Sequence, residues 1–367
     1  MTDKQAAGTQ DKKPILDFSF EELDAFLKLK GAPSYRTKQI FSWLYRDLVA
    51  DFQQMTNVPS TLRNELGKDT FIQLLEPVTE VTSDNGLTHK VLLRLRDGAA
   101  VEAVLMLYPK RKDSRERHTV CISSQSGCGM GCSFCATGKG GLVRNLSSGE
   151  IADQILYFAR QLAAEGESIT NVVVMGQGEP LANFHEVWKA VTTLNSPYGF
   201  GLGARHFTIS TVGIVPKIRE MARTTLQVGL AVSLHAPNDD LRSKLMPINR
   251  RFPLKELIAA CHEYATLTSR RITFEYALIE GVNDGREHAE ELAALVKGLL
   301  CHINLIPLND VPGISYRASA QEKSIAFQKQ LSRHGIPTTV RAKRGGHIDA
   351  ACGQLAGRLP RLPLGDL

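Results

Sequence analysis

The spacing of apolar residues changes twice along this chain, and each change marks a different kind of structure. Between residues 14 and about 68 the spacing is helical. Leu23, Phe26 and Leu27 fall on one face behind Ser19 and Glu22, which stand at the separation of a capping box. A second helix opens near Ser34 and carries Ile40, Phe41, Trp43 and Leu44, with Arg36, Lys38 and Arg46 between them. From about 70 to 108 the apolar residues gather into short β-type runs, separated by Asp84-Asn85-Gly86 and Asp97-Gly98, both strong hairpin-turn signals. A small helical domain followed by a β-extension is therefore expected.

Beyond Arg117, strand-like and helix-like runs alternate. Strands are expected at 118–123, 171–175, 206–210, 227–234, 272–278 and 301–306, with helices between them, for example at 148–164, 253–267 and 286–297. Six βα units in succession predict an α/β fold with a parallel sheet, arranged as an incomplete (β/α)6 barrel, which admits a larger substrate than a closed eightfold one. The expected organisation is a disordered start at 1–13, the helical domain at 14–68, a β-extension or linker at 69–117, the barrel core at 118–345, and a C-terminal loop and tail at 346–367. In such folds the reacting groups gather at the C-terminal ends of the strands.

The loop after the first barrel strand reads Cys128-Gly-Met-Gly-Cys132-Ser-Phe-Cys135. Three thiolates at Cys-x3-Cys-x2-Cys spacing can hold three irons of a [4Fe-4S] cluster and leave the fourth open. An open iron can bind the amino and carboxylate groups of S-adenosylmethionine (SAM) and pass an electron into its sulfonium. This is the radical SAM signature. Three buried small hydrophobes would be the plain alternative, but the intervening glycines and serine make a poor core segment. A structural zinc site would call for a second ligand pair, which the sequence lacks.

Composition narrows the setting. With 367 residues, 43% hydrophobic and 22% charged, the chain is that of an ordinary globular protein. Its start, from Met1 to Lys13, is polar and lacks the apolar core of a secretory signal, and no apolar run approaches the ~20 residues that span a bilayer. A cytoplasmic location is expected, where thiols stay reduced. The net charge of +6 is only a mild hint of a polyanionic partner, but its distribution says more. Lys110, Arg111, Lys112, Arg115, Arg117 and His118 crowd the approach to the cysteine loop, and Arg341, Lys343 and Arg344 crowd a second loop. Basic runs beside candidate chemistry point towards nucleic acid.

The turn after the second strand reads Met175-Gly-Gln-Gly178-Glu179-Pro180, where glycine permits close approach to the backbone and Glu179 could pair with an ammonium. Ser210, Ser233, Leu234, His235 and Asn309 follow the later strands. Singly, each would serve as a turn or cap residue. Together they describe a polar rim in register with the cysteine loop. Of the other cysteines, Cys261 and Cys301 read as buried structural residues. Cys121 lies on the first strand, and Cys352 lies in a glycine-flanked stretch that would let it move. A fixed thiol and a mobile one near a radical source suggest covalent catalysis.

At this point the sequence resembles the RlmN and Cfr family of radical SAM RNA adenine methyltransferases, over essentially the whole chain after its start. The matching segments run from Cys128 to Gly138, Arg144 to Leu146, Met175 to Pro180, Ser233 to Asp239, Asn304 to Asn309 and Ala350 to Leu355. The resemblance implies that Cys128, Cys132 and Cys135 hold the cluster, and that Gly178, Glu179, Ser210, Ser233, Leu234, His235 and Asn309 contact SAM. It makes Cys352 the methyl carrier, Cys121 the resolving thiol that forms a transient disulfide with it, and Glu102 the proton acceptor. Two departures stand out: a long basic segment from Lys110 to Arg117, and Gly346-His347 where an acidic residue is usual.

The implied reaction suits its target. Carbon 2 of adenine is electron-poor and cannot attack a methyl sulfonium, so a radical route is needed. One SAM would methylate Cys352, and cleavage of a second would activate that methyl group for addition to the ring. The implied substrates are an adenine in the peptidyl-transferase region of 23S rRNA and the adenine 3′ of the anticodon in tRNA, with the helical domain and basic loops gripping the RNA around the unstacked base. A flavodoxin or ferredoxin would supply electrons, no membrane is involved, and nothing calls for more than a monomer. Pro180 resembles the carbon-2 branch; the resistance branch, which methylates carbon 8, is the alternative. A non-catalytic RNA-binding assembly factor would need neither Cys121 nor Cys352, and a radical SAM enzyme for small molecules or peptides would not need the basic loops.

Overall fold

A computed structural model describes residues 12–110, 115–309, 311, 313–341, 348 and 354–355. At its start, β1 (Lys13–Pro14) pairs in parallel with β2 (Thr70–Phe71), so the intervening helical unit begins and ends at one place. Its helices are α1 (Phe20–Leu29), α2 (Tyr35–Tyr45) and α3 (Ser60–Asp69). The capping box forms as expected: the Glu22 amide donates to Ser19 Oγ at 3.2 Å, and the Ser19 amide donates to Glu22 Oε2 at 2.7 Å. Leu23 and Leu27 are buried with Ile40, Phe41 and Leu44 in a core continuous with that of the barrel.

β3 (Leu75–Ser83), β4 (Thr88–Leu95) and β5 (Ala100–Tyr108) form an antiparallel meander. Asp84 and Asn85 take left-handed φ values of 58° and 55° at the first turn, as hairpin-favouring residues can. The meander is continuous with the main sheet, because β5 pairs antiparallel with β6 (Arg117–Ile122). Parallel strands then follow in chain order: β9 (Asn171–Val174), β10 (Phe207–Thr211), β11 (Gly229–Ser233), β12 (Ile272–Leu278), β13 (Cys301–Pro307) and β14 (Thr338–Val340). The six expected barrel strands are present and β14 adds a short seventh, paired with β13. Between β6 and β9, a two-stranded ribbon of β7 (Gln125–Gly127) and β8 (Leu142–Asn145) brackets the cysteine loop and its short helix α4 (Ala136–Gly140).

Helices α5 (Ser148–Ala164), α6 (Phe184–Asn195), α7 (Val215–Ala222), α8 (Asp239–Leu245), α9 (Leu254–Thr268), α10 (Arg286–Leu295) and α11 (Gln321–Arg333) fall between the strands. On β12 the alternation shows how the sheet divides its side chains: Phe274, Tyr276 and Leu278 enter the main core, while Glu275 and Ala277 line a central cavity. Burying a residue such as Phe274 contributes about 2–3 kcal/mol. α5 couples the layers to the site. Its Gln154 side chain accepts from the Ser123 amide at 2.8 Å and donates to the Ser123 carbonyl at 2.9 Å, which fixes the chain where it leaves β6 for the cysteine loop. At its start, Asp17 of the helical unit accepts from the Gly149 amide at 2.8 Å and ties the two parts together.

The sequence grouped His118 with the basic run, but its side chain is buried and its Nδ1 lies 2.9 Å from the Ser168 carbonyl. It therefore packs inward at the start of β6 and is not part of an exposed basic surface. Arg115 and Arg117 are exposed, Arg117 over the ring of Tyr108; Arg111 and Lys112 lie outside the described residues. No helix among the described residues is long and apolar enough to cross a membrane.

Candidate active site

The C-terminal ends of the parallel strands surround a solvent-open cavity of about 170 Å³. Cys128, Cys132 and Cys135 all line it. The ribbon sets their loop: the Cys128 amide donates to the Gly141 carbonyl at 2.8 Å, and a side chain on Gly127 would place its Cβ 2.1 Å from that oxygen. Burial pushes the Cys128 thiol up to about 11, and it raises Cys132 further. Deprotonating these thiols in so dry a place requires a compensating cation, as iron would be.

The donor set fits a three-cysteine cluster. Glu179, His235 and Glu275 are the other candidate metal ligands on the cavity wall, and each is already held by hydrogen bonds, Glu275 by Asn304 Nδ2 at 2.8 Å. Glu179 accepts from Thr211 Oγ1 at 2.7 Å, the Val212 amide at 2.8 Å and the Leu181 amide at 3.0 Å. Its burial outweighs these bonds and pushes its carboxyl up to about 7. His235 Nδ1 accepts from the Ala277 amide at 2.9 Å, and its ring stands edge-on to Phe134 of the cysteine loop. Burial, with help from nearby Arg242, drives its pKa down to about 3, so the imidazole is neutral.

Gly178 is needed where it sits. Its φ is +99°, and a Cβ there would lie 2.6 Å from Gln125 Cβ. The two loops interlock further, because the Ser124 amide donates to the Gln177 carbonyl and the Glu179 amide to Gln125 Oε1, both at 2.8 Å. Gly178, Glu179, Ser210, Ser233, His235 and Asn309 all face the cavity. Leu234 does not; its side chain is in the core, while its amide donates to the Glu275 carbonyl at 3.0 Å and its carbonyl accepts from Arg242 Nε at 3.2 Å.

Glu102 and Cys121 lie to one side of the cavity. Glu102 is buried on β5, with Lys90 Nζ 2.9 Å from its Oε1 and Gln177 Nε2 at 3.4 Å from its Oε2. Val104, on the same face two residues on, pairs in register with Cys121 of β6. Cys121, Val104 and Met106 form a small apolar cluster with Leu355, which also lines the cavity. Cys352 itself, with Lys343, Arg344, Gly346 and His347, lies outside the described residues. The six described cysteines are all free thiols, and Cys261 and Cys301 are buried in the main core as expected.

Sequence reasoning missed several residues of the site. Arg242 is fully buried and donates to the carbonyls of Val212 at 2.7 Å and Ser233 at 3.2 Å and to Asn249 Oδ1 at 2.9 Å, so that it gathers the ends of two strands. Glu275, held by Asn304 Nδ2 at 2.8 Å, lines the cavity, as does Arg341, which the sequence had singled out only as part of a basic loop. Glu275, polar between Phe274 and Tyr276, was a legible sign of a lumen-facing strand; nothing in the sequence distinguished Arg242 from a surface charge on a helix.

Comparison with known proteins agrees with this geometry. Residues 122–296 match the Radical SAM superfamily, and residues 14–72 match the ribosomal RNA large subunit methyltransferase N-terminal domain. A protein of Symbiobacterium thermophilum named probable dual-specificity RNA methyltransferase RlmN is 48% identical over 355 residues, covering 96% of this chain and 94% of that relative. One of the same name from Chloroflexus aurantiacus is 47% identical over 359 residues, covering 95% and 94%. The crystal structure of a radical SAM methyltransferase from Sphaerobacter thermophilus matches with a TM-score of 0.91 and 49% identity, covering 94% of this chain and 100% of that one. At nearly half identity over almost all of its length, the chain belongs to the RlmN family of radical SAM RNA methyltransferases.

Proposed function

We propose that this protein methylates carbon 2 of adenine in RNA, in the peptidyl-transferase region of 23S rRNA and 3′ of the anticodon in tRNA, with Cys352 as methyl carrier and two SAM consumed per turnover. The substrate class draws support from relatives named as dual-specificity RNA methyltransferases. One observation carries the covalent part of the reading. Leu355, three residues beyond Cys352, is buried in the same apolar cluster as Cys121, on the wall of the three-cysteine cavity.

Cys128, Cys132 and Cys135 would hold a [4Fe-4S] cluster, with Gly178, Glu179, Ser210, Ser233, Leu234, His235 and Asn309 around SAM; when bound, the pair supplies one-electron cleavage of the sulfonium and so the means to activate a methyl group. The chain does the rest. Glu179 offers its carboxylate to the SAM ammonium, neutral His235 adds no opposing charge, and the interlocked 124–125 and 177–179 segments keep the pocket wall fixed. The Cys352 sulfur takes a methyl group by displacement and later presents it to carbon 2. Glu102 takes the ring proton, and its pairing with Lys90 fixes the carboxylate in place. The Cys121 thiolate then attacks the Cys352 sulfur, the bond from that sulfur to the new carbon breaks with its electron pair moving to the carbon, which takes up a proton to become the methyl group, and a Cys121–Cys352 disulfide remains to be reduced.

In this reading the helical unit at 14–68 grips RNA, the β-extension at 69–117 carries Glu102, the core at 118–345 holds SAM, and the segment at 346–367 carries the methyl group. A flavodoxin or ferredoxin delivers the electrons to a cytoplasmic monomer. The test is anaerobic incubation of cluster-reconstituted protein with SAM, a reductant and a 23S rRNA fragment or tRNA, followed by digestion and mass spectrometry. 2-Methyladenosine is expected. 8-Methyladenosine alone would place the chain in the resistance branch, and SAM cleavage with neither product would overturn the RNA assignment.

A further inference from the structure

Thr137 stands two residues after Cys135, on the short helix that ends the cysteine loop. It is 7% exposed, and its hydroxyl donates to the Leu355 carbonyl at 2.5 Å, across 218 residues of sequence. Leu355 is itself 5% exposed and packs with Val104, Met106 and Cys121, so one residue is held from two sides, by a hydrogen bond from the cysteine loop and by apolar contact with the strand that bears Cys121. The helix is equally tied to the cysteines. The Cys135 carbonyl accepts from the Lys139 amide at 3.1 Å, and a Cβ on Gly138 would come within 3.1 Å of the Cys132 backbone nitrogen. With backbone packed so closely, the cysteine loop cannot shift without moving Thr137.

We propose that Thr137 is a positioning residue that links the three-cysteine loop to the C-terminal segment, holding Leu355 where it brings the chain before it towards Cys121. The inference rests on the reading of Cys352 as methyl carrier and deepens it. Three residues of chain reach at most about 11 Å, so anchoring Leu355 confines Cys352 to the neighbourhood of the cavity and of Cys121. Removing the hydroxyl leaves a buried carbonyl without that donor, a loss that sets the anchor free more often. The Thr137 side of the anchor moves with the cysteine loop, so placement of the loop and placement of the methyl-bearing chain become linked.

The test compares Thr137→Val, which keeps the shape and loses the hydroxyl, with Thr137→Ser, which keeps it. Two readouts are taken on the full chain with its cluster reconstituted. The first is amide hydrogen exchange in the peptide containing Gln354 and Leu355, which needs no turnover. It should speed up by about tenfold in Thr137→Val and stay near wild type in Thr137→Ser. The second is the amount of 5′-deoxyadenosine released per methyladenosine formed, which should rise several-fold in Thr137→Val at wild-type iron content and SAM affinity. Unchanged exchange in Thr137→Val overturns the anchor, whatever happens to RNA. Faster exchange with an unchanged product ratio leaves a structural contact and overturns the positioning role. If wild-type protein makes no methyladenosine, the methyl-carrier reading fails and takes the link to catalysis with it, while the exchange result still decides whether Thr137 holds Leu355.

Discussion

The hydroxyl of Thr211 donates to the carboxylate of Glu179 over 2.7 Å, joining the end of β10 to the loop after β9. With the Val212 amide at 2.8 Å, it holds a carboxyl group in a place where water does not reach it. Such a group is preorganised for a cation and strained without one. The strain has a sign that can be measured.

Burial pushes Glu179 up to about 7 in the folded chain, above its ordinary 4.5. Between those values the folded state keeps a proton that the unfolded state has lost, so stability falls as pH rises through that window, by about 1.4 kcal/mol per pH unit. In the metal-free chain, Glu179→Gln should remove this slope and melt higher than wild type at pH 8, while the reconstituted variant fails to bind SAM. Melting curves from pH 5 to 8 and calorimetric titration with SAM check both halves. A variant less stable than wild type at pH 8 would refute the account.

His235 acts in the opposite direction. Its pKa is driven down to about 3 from 6.5, so below pH 6.5 the unfolded state gains a proton that the folded state refuses. Stability from this group is complete above pH 6.5 and is lost as pH falls towards 3, again by about 1.4 kcal/mol per pH unit. His235→Gln should flatten the acid limb of the stability profile. Denaturant titrations at pH 4.5 and 7 give the comparison, and equal acid sensitivity in both proteins would count against a buried neutral imidazole.

The strand at 171–174 was legible as the continuous apolar run Val172 to Val174, and the strand at 272–278 through the alternation of Ile272, Phe274, Tyr276 and Leu278 with the residues between them. α5 was legible from its apolar period, and its start is fixed by the capping box of Ser147 and Glu150. β14 was not: Thr338 to Val340 is too short to carry a period and exists through its pairing with β13. The ribbon around the cysteine loop was hidden for a related reason, since Gln125-Ser126-Gly127 is polar and pairs with Leu142 to Asn145 across the whole loop. The site divides along the same line. The cysteine spacing and the Gly178-Glu179 turn are local and could be read, whereas Thr211, Arg242, Glu275 and Thr137 matter through partners that only folding brings near.

Arg242 shows what such a residue is worth. Its guanidinium is fully buried and serves the carbonyls of Val212, Ser233 and Leu234 and the side chain of Asn249. Arg242→Met fills much of the volume but leaves several buried acceptors without a donor, and should cost about 3 kcal/mol or more. A lower denaturation midpoint with an unchanged slope is expected. A loss under 1 kcal/mol would mean that the acceptors find water instead.

The covalent reading makes a prediction that separates its two thiols. Without Cys352 there is no sulfur to carry the methyl group, so Cys352→Ala should bind RNA and SAM but form no methyladenosine. Without Cys121 the methyl group still reaches the adenine, and the step that fails is the later attack that frees the product. Cys121→Ala should therefore accumulate a protein–RNA adduct that survives denaturation and is digested by nuclease to a nucleotide-bearing Cys352 peptide. Gel mobility under denaturing conditions and peptide mass spectrometry distinguish the variants. The placement of Cys121 in one cluster with Leu355 makes it the thiol within reach, whereas Cys261 and Cys301 are sealed in the main core. If Cys121→Ala turned over like wild type, another group would have to resolve the adduct, and the role assigned to that cluster would be lost.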